Sequence, residues 1–145
     1  MAKRVTPAEA HALVSEGWSY VDVRTVAELE AGHPSGAFHV PLLVDGPRGR
    51  VPNERFVEAM RAVFPRHDAP IVVGCLGATR SARAAELLEG AGYTSIALQL
   101  AGWGGATDAF GRVTTPGWKA AGLPIATAAE PGRSWAEILA KLGAG

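Results

Sequence analysis

Short apolar runs alternate with segments of helical periodicity along most of this 145-residue chain. The runs at residues 18–23, 71–73 and 95–100 predict strands, and the all-apolar run 71–73 is of the kind that a parallel sheet buries on both faces. Apolar positions recur at helical spacing over residues 54–64 and 81–90. This alternation of helices with short strands predicts an α/β fold with a mainly parallel sheet.

The first two helices are marked by the residues at their ends. Thr6 followed by Pro7 is typical of a helix start, because a hydroxyl caps the first turn and proline fits its first position. That helix is expected to stop at Gly17. A second, short helix is predicted over residues 25–31 and is closed by Gly32.

Two stretches predict loops, and the chain then ends in a helix. Residues 45–53 are polar and rich in turn-forming residues, and Asn53 is expected to cap the helix that follows. Residues 101–117 carry many glycines and few apolar anchors. Beyond a linker of small residues, residues 134–142 predict a final amphipathic helix.

Composition and charge narrow the class of protein. Apolar residues make up 48% and charged residues 19% of the chain, and its formal net charge is zero. These values are ordinary for a globular protein and give no sign of affinity for nucleic acid or a membrane surface. No apolar stretch fits a secretory signal or a membrane span. The single cysteine excludes an internal disulfide and Cys-pair metal sites, so we expect a cytoplasmic protein without metal or cofactor.

That cysteine, Cys75, follows the apolar run 71–73 and precedes a predicted helix. A helix start offers free N–H groups and the positive end of the helix dipole, which favour a bound anion or a thiolate. Gly77 and Ala78 leave room for backbone amides to turn inward, and Arg80 adds positive charge. The arrangement suits a thiolate that attacks sulfur, or one that attacks phosphorus or arsenic. An inert, buried cysteine is the alternative.

Several longer stretches together resemble the rhodanese family of sulfurtransferase domains. Residues 21–42, VDVRTVAELEAGHPSGAFHVPL, resemble its first signature. Residues 72–96, VVGCLGATRSARAAELLEGAGYTSI, resemble its active-site strand, loop and helix. LAGWGGATDAF, followed by GWKAAGLPI, resembles its closing turn and Gly-Leu-Pro end. The likeness is strongest to single-domain thiosulfate sulfurtransferases.

The resemblance implies a fold, a domain organisation and roles for particular residues. We expect a three-layer domain over residues 1–125, in which helices flank a central, mainly parallel sheet of about five strands, and a C-terminal extension over residues 126–145. Cys75 would be the nucleophile and carry a persulfide. The anion-binding loop would comprise Leu76, Gly77, Ala78, Thr79, Arg80 and Ser81. Side chains that line the pocket or support the loop would be Asp22, Arg24, Glu28 and Trp103.

One of these roles is a specific prediction about contacts. Glu28 occupies the acidic position of the first signature, and we predict that its carboxylate pairs with the Arg80 guanidinium and fixes the loop. A separation far beyond about 4 Å would contradict the pairing.

Two features depart from the family pattern. The family loop often has glycine fourth and a basic or polar residue second, whereas this chain has glycine third, at Gly77, and Leu76 second. The uncharged Leu76 makes the predicted loop less attractive to a dianion. Thiosulfate is therefore expected to be a poorer sulfur donor for this protein than for relatives whose loop is more basic. Residues 106–117 are longer than the usual stretch, and the extension has no counterpart in the minimal domain.

The expected reaction is a double displacement through Cys75. A small-molecule donor such as thiosulfate would give up its outer sulfur, and cyanide, a thiol or a protein acceptor would take it. Phosphatases and arsenate reductases of the same fold carry Cys-x5-Arg, because a tetrahedral oxyanion needs more room. The Cys-x4-Arg interval from Cys75 to Arg80 therefore favours sulfur transfer. A non-catalytic sulfur-carrier or binding module is the third alternative, and neither nucleic acid nor a membrane is expected as a partner.

Overall fold

The structure is a computed structural model that describes residues 2–74, 79–128 and 130–143. Over these residues the helices are α1 (Pro7–Ser15), α2 (Val26–Glu30), α3 (Phe56–Val63), α4 (Thr79–Gly90) and α5 (Trp135–Lys141). The strands are β1 (Lys3–Val5), β2 (Ser19–Asp22), β3 (His33–Pro34), β4 (Phe38–His39), β5 (Leu43–Gly46), β6 (Gly49–Pro52), β7 (Ile71–Gly74), β8 (Ile96–Gln99), β9 (Ala106–Thr107), β10 (Val113–Thr115) and β11 (Ile125–Ala126).

The central sheet has the strand order β1-β8-β7-β2-β4, and its neighbouring strands all pair in parallel. The predicted α/β fold with a mainly parallel sheet of about five strands is confirmed. Because the strands are parallel, their carboxyl ends meet at one edge of the sheet. There Asp22 of β2 lies beside Gly74 of β7 on one side and His39 of β4 on the other.

Alternation of side chains along the strands builds an apolar layer on each face of the sheet. Val73 belongs to the layer that joins the sheet to α3, α4 and α5, which includes Met60 and Ile138. Val72, its neighbour on β7, belongs to the opposite layer, where Ala10 of α1 packs. Helices therefore cover both faces, which is the predicted three-layer arrangement.

The β5–β6 hairpin occupies most of the loop predicted over residues 45–53, so that prediction is wrong. Its strands are antiparallel, with Asp45 opposite Arg50 and Gly46 opposite Gly49. Gly49 has a φ of +119°. Other residues rarely adopt this conformation, so glycine permits the tight reversal. The residues of β6 are all exposed, so the sequence carries no apolar alternation from which the strand could be predicted.

Other elements also differ from the sequence-based prediction. Strand β1 was not predicted, because its existence depends on pairing with β8 from the far end of the domain. Asn53 does not cap α3. The residue before that helix is Arg55. The backbone N–H of Arg55 donates a hydrogen bond to Asn53 Oδ1 at 3.0 Å. Within the predicted loop over residues 101–117, β9 and β10 pair as a second small hairpin.

The C-terminal helix α5 packs on the face of the sheet that α3 covers. Ile138 is 1% exposed and belongs to the core cluster of that face. Arg133, just before the helix, donates to the Gly36 carbonyl oxygen at 2.6 Å and lies over the ring of Phe38 at 4.5 Å. The amphipathic helix predicted over residues 134–142 is present, and its apolar face is used within the chain. None of the helices in the described part of the chain is long and apolar enough to cross a membrane.

Candidate active site

The predicted nucleophile lies in the sequence between the end of β7 and the start of α4. The structure describes the chain up to Gly74 and again from Thr79. Cys75 and three residues of the predicted loop, Leu76, Gly77 and Ala78, therefore lie outside the described residues. The Gly74 carbonyl oxygen accepts a hydrogen bond from Val23 N at 3.0 Å, which holds the end of β7 against the end of β2. The first turn of α4, which begins two residues earlier than predicted, contains Thr79, Arg80 and Ser81.

Gly74, the residue before Cys75, lies against the side chain of Tyr20. A Cβ atom at position 74 would collide with the Tyr20 hydroxyl oxygen and would lie 2.7 Å from the ring carbon Cζ. Tyr20 is buried, and its hydroxyl accepts a hydrogen bond from Gln99 Nε2 at 3.3 Å. Glycine is therefore required directly before the loop. This requirement could not be predicted from the sequence, since nothing local brings Tyr20 to this position.

The ion pair predicted between Glu28 and Arg80 is present. Arg80 Nη1 donates to Glu28 Oε1 at 2.6 Å and Nη2 donates to Oε2 at 2.9 Å, a bidentate arrangement. Both side chains are largely buried, with 18% of Glu28 and 16% of Arg80 exposed. The hydrogen bonds from Arg80, helped by those from Thr25 and opposed by burial, lower the pKa of Glu28 to about 2. Glu28 is ionised at neutral pH and ties α2 to the first turn of α4.

Glu28 is positioned by a capping box at the start of α2. The hydroxyl and the backbone N–H of Thr25 both donate to Glu28 Oε1, at 2.9 and 3.1 Å, and Thr25 Oγ1 accepts from Glu28 N at 3.5 Å. This pairing is the usual consequence of a Thr-x-x-Glu sequence at a helix start. The same motif, with Thr6 and Glu9, caps α1. Local sequence therefore orients the Glu28 carboxylate independently of α4.

A third charged side chain, Arg50 of β6, approaches the same carboxylate. Its Nη2 lies 3.8 Å from Glu28 Oε1, and the side chain is 49% exposed. Arg50 was not predicted as a site residue, because it lies on the hairpin that was predicted as a loop. Arg83 of α4 pairs instead with Glu86 on an exposed part of the helix. Glu28 is thus shared by two arginines, one through short hydrogen bonds and one through a long ionic contact.

Asp22 and Arg24 form a buried ion pair at the carboxyl end of β2. Arg24 Nη2 donates to Asp22 Oδ2 at 2.9 Å and to the Gly32 carbonyl oxygen at 2.6 Å, and Arg24 Nε lies 3.1 Å from both carboxylate oxygens. Asp22 is 2% exposed and Arg24 is 1% exposed. Since both are buried, neither side chain offers open surface to a ligand, and their contacts join β2 to the chain after α2.

Trp103, which follows the last strand of the central sheet, packs against this ion pair. The guanidinium carbon of Arg24 lies 4.8 Å from the centre of the Trp103 ring. Gly32 has a φ of +142°, and a Cβ atom there would lie 2.9 Å from Trp103 Cζ2. A Cβ atom at Gly117 would collide with the Trp103 carbonyl oxygen. Two glycines therefore permit the close approach of Trp103 to the carboxyl edge of the sheet.

Two buried histidines complete this edge. His33 Nδ1 lies 3.2 Å from the Leu29 carbonyl oxygen, as expected for a histidine that closes a turn. His39 Nε2 lies 2.8 Å from the Arg24 carbonyl oxygen. Burial lowers the pKa of His39, although the Arg24 carbonyl and the charge of Asp22 oppose the effect. Over the described residues, no cluster of three or more His, Cys, Asp or Glu side chains is arranged to hold a metal ion.

The sheet order and the charged residues at its carboxyl edge define an α/β domain with a candidate anion-binding loop between β7 and α4. Residues 6–107 match the family described as Rhodanese-like domain. The chain belongs to the rhodanese-like domain family, as its resemblance to the family signatures predicted.

Named relatives share the matched region to different extents. Thiosulfate sulfurtransferase 16, chloroplastic, of Arabidopsis thaliana is 39% identical over 87 residues, which cover 60% of this chain and 72% of that protein. Thiosulfate sulfurtransferase GlpE of Haemophilus influenzae (strain PittEE) is 28% identical over 126 residues, which cover 87% of this chain and 96% of that protein. Senescence-associated protein DIN1 of Raphanus sativus is 37% identical over 87 residues, or 60% of this chain, and the match spans only 47% of that longer protein.

Solved structures agree with the fold. The crystal structure of Rv0390 from M. tuberculosis superposes with a TM-score of 0.72 and 31% sequence identity, covering 88% of this chain and 98% of that one. The crystal structure of a thiosulfate sulfurtransferase from Pseudomonas aeruginosa has a TM-score of 0.59 and 25% identity, covering 85% of this chain but 19% of that one. The larger proteins therefore contain this domain as one part.

Proposed function

We propose that this domain is a sulfurtransferase that moves a sulfane sulfur from a donor such as thiosulfate to cyanide or a thiol through a persulfide on Cys75. The bidentate Glu28–Arg80 pair is the observation that carries the proposal. It anchors the first turn of α4, while the Gly74 carbonyl is anchored on β2. Gly74, which precedes the Cys-x4-Arg interval, and Arg80, which ends it, are thus both held by the fold. An interval of this length suits one extra sulfur better than a bulkier tetrahedral oxyanion.

The proposed reaction has two displacements, and neither needs a metal, a cofactor or an external redox partner. In the first, the Cys75 thiolate attacks the outer sulfur of thiosulfate. The bond between the two donor sulfurs breaks, sulfite leaves with its electron pair, and Cys75 carries a persulfide anion. In the second, cyanide or a thiolate attacks the terminal sulfur, and the Cys75 thiolate is regenerated. Charge is conserved in both steps, and no proton transfer is required when both thiols react as thiolates.

The protein groups have separate roles in this proposal. Backbone N–H groups of residues 76–81, which precede or begin α4 in the sequence, would stabilise the persulfide anion. Arg80 would hold the first turn of α4 on Glu28. Asp22, Arg24 and Trp103 would support the neighbouring part of the site, at the carboxyl end of β2. Because the nucleophile must stay reduced, the proposal requires a compartment where thiols persist, such as the cytoplasm.

The names of two relatives support the choice of donor. The proteins from Arabidopsis thaliana and Haemophilus influenzae are both named thiosulfate sulfurtransferases. Their matches to this chain extend over most of each relative. Thiosulfate is therefore the first donor to test.

The test combines turnover with detection of the intermediate. Purified protein is supplied with thiosulfate and cyanide, and thiocyanate is measured for the wild type and for Cys75→Ser. Mass spectrometry after thiosulfate alone should find a gain of one sulfur atom on the wild type, removed by reductant and missing from Cys75→Ser. Equal thiocyanate formation by the two proteins rejects the nucleophile. Phosphate release from an aryl phosphate, with no sulfur gain, would instead indicate a phosphatase.

A further inference from the structure

A cavity of about 290 Å³ lies between α2, β4 and the C-terminal extension. Three residues of α2 line it, namely Val26, Leu29 and Glu30. Their i, i+3 and i+4 spacing places them on one face of the helix, whereas Glu28, which pairs with Arg80, lies on another. The cavity is therefore separate from the ion pair that holds the first turn of α4.

The opposite wall of the cavity comes from the extension. Trp135 and Ala136, at the start of α5, line it together with His39 of β4. The backbone N–H of His39 donates to the Arg133 carbonyl oxygen at 2.9 Å, and this bond holds the segment before α5 against β4. The cavity is thus formed by the domain and its extension together.

His39 presents an unused hydrogen-bond acceptor to this cavity. A carbonyl oxygen can only accept, so His39 Nε2 donates to the Arg24 carbonyl and Nδ1 of the neutral ring is an acceptor. Burial lowers the pKa of His39, which keeps the ring neutral at pH 7. Nδ1 has no hydrogen-bond partner among the described residues, and none of their unpartnered side-chain polar atoms is sealed from solvent. Although His39 is only 2% exposed, Nδ1 is therefore open to the cavity that His39 lines.

Apolar area and a carboxylate lie at the opening of the cavity. Val26 is apolar yet 43% exposed, so a ligand that covers it removes apolar area from water. Glu30 is exposed and makes no ion pair with another described residue. Its negative charge favours a cation at the opening and disfavours an anion.

We propose that this cavity is a binding site for a small aromatic amine. The aromatic ring lies between α2 and Trp135, a ring N–H or O–H donates to His39 Nδ1, and the ammonium group lies near Glu30. A cavity of about 150 Å³ is enough for benzene in another protein, so about 290 Å³ accommodates a bicyclic ring such as indole. None of the described lining residues has a role in the reaction proposed above, so the site does not depend on that function.

Two probes of the same shape test the hydrogen bond to His39 without a change in the protein. Indole carries an N–H, and benzofuran has an ether oxygen at that position. Each is titrated into the isotope-labelled wild-type protein, and its dissociation constant is obtained from the amide chemical shifts. We expect indole to bind about fivefold to tenfold more tightly, because benzofuran places one acceptor against another. Signals of α2, α5 and the Trp135 side chain should move, and those of α1, on the opposite face of the sheet, should not.

Glu30→Gln tests the charge at the opening, and the chain offers a matched control. Glu16 caps the end of α1 as Glu30 ends α2, and it is also exposed without an ion pair to a described residue. The probes are tryptamine and indoleacetate, which share the indole ring but carry opposite charges. Tryptamine should bind the wild type and Glu16→Gln about threefold more tightly than indoleacetate does, and Glu30→Gln should bind the two about equally.

The site is supported by shifts confined to the cavity, tighter binding of indole than of benzofuran, and a charge preference lost only in Glu30→Gln. Failure of indole to shift the signals of α2 and α5, or equally large shifts over α1, would overturn the site. Equal affinities of indole and benzofuran would overturn the role of His39. An equal charge preference in the two glutamine variants would overturn that of Glu30.

Discussion

Among single residues, Gly74, which precedes the proposed nucleophile Cys75, is closely constrained by its surroundings. Gly74 ends β7 directly against Tyr20, and any side chain there meets the Tyr20 ring and hydroxyl. Addition of a single methyl group at Gly74 must therefore displace either the Tyr20 ring or strand β7, which precedes Cys75.

We predict that Gly74→Ala lowers the free energy of unfolding by about 1 to 3 kcal/mol, the usual cost of overpacking a core, and reduces sulfur transfer strongly. Gly90→Ala is the control, because a Cβ atom at this helical position meets nothing within 4 Å. The Gly90→Ala variant should have the same free energy of unfolding as the wild type, or a slightly higher one. Urea unfolding and the thiocyanate assay measure both effects. Equal stability of the two variants would contradict the collision with Tyr20.

Buried His39 predicts how stability depends on pH. Its pKa is lower in the folded protein than the ordinary value of 6.5, chiefly because burial disfavours the charged ring. The unfolded chain therefore binds a proton more readily at this position. The free energy of unfolding should therefore be highest above about pH 6.5, where His39 is neutral in both states, and should decrease as the pH falls below that value.

Urea unfolding of the wild type and of His39→Asn between about pH 8 and about pH 5.5, a range that spans the ordinary histidine pKa, measures this linkage. The variant should lose part of the pH dependence. Glu28 does not interfere, because its folded pKa of about 2 lies below its ordinary value of 4.5, and its contribution is lost only as the pH falls through that lower range. Identical slopes for the two proteins would exclude His39 as a source of the pH dependence.

At the scale of single elements, two helices begin with the same capping motif but have different consequences for the site. The start of α1 reads Thr-Pro-Ala-Glu and that of α2 reads Thr-Val-Ala-Glu, and both form a reciprocal capping box. Of these two glutamates, only Glu28 of α2 also forms an ion pair with an arginine of α4.

Thr25→Ala and Thr6→Ala should each destabilise the protein by about 1 kcal/mol through the lost cap. Thr25→Ala should in addition reduce sulfur transfer, because Glu28 Oε1 loses a hydrogen bond that orients it toward Arg80. Thr6→Ala should leave the rate unchanged. Thermal unfolding and thiocyanate formation are compared in the two variants. A similar loss of rate in both, or in neither, would show that the cap of α2 does not position the loop.

At the scale of the whole molecule, the C-terminal segment behaves as part of the core. We propose that the domain covers residues 1–125 and that residues 126–145 form an extension that packs on it. Ile138 lies in the same apolar cluster as Met60 and Val73. Arg55 of the α3 start also donates to the carbonyl oxygens at the end of α5. The extension therefore stabilises the face of the sheet that α3 and α4 cover.

Ile138→Ala should lower the free energy of unfolding by about 2 to 4 kcal/mol, as expected for truncation of a buried aliphatic side chain. Leu139→Ala removes an isomeric side chain at the neighbouring, partly exposed position and should cost less than half as much. Denaturant unfolding should stay cooperative in both. A loss below about 1 kcal/mol for Ile138→Ala would mean that the extension contributes little to folding.

Features that depend on neighbours in the chain could be predicted from the sequence. Periodicity, caps and glycine positions predicted α1, α2, α4 and α5 near their observed bounds, and the order of elements predicted the parallel sheet. The Cys-x4-Arg interval and the family signatures predicted Cys75, Arg80 and Glu28 as site residues. The predicted Glu28–Arg80 ion pair is present, and the cap of α2 helps to orient its carboxylate.

Contacts between residues far apart in the chain could be found only from the folded structure. The pairing of β1 with β8, the collision that requires Gly74, the burial of Asp22 with Arg24, and the approach of Arg50 to Glu28 all depend on register and on which segments meet. Strand β6 is exposed throughout and β1 lies at the sheet edge, so neither carries a clear periodic pattern. The physical reason is that apolar periodicity records which face of a segment is buried, and it does not record which distant segment buries it.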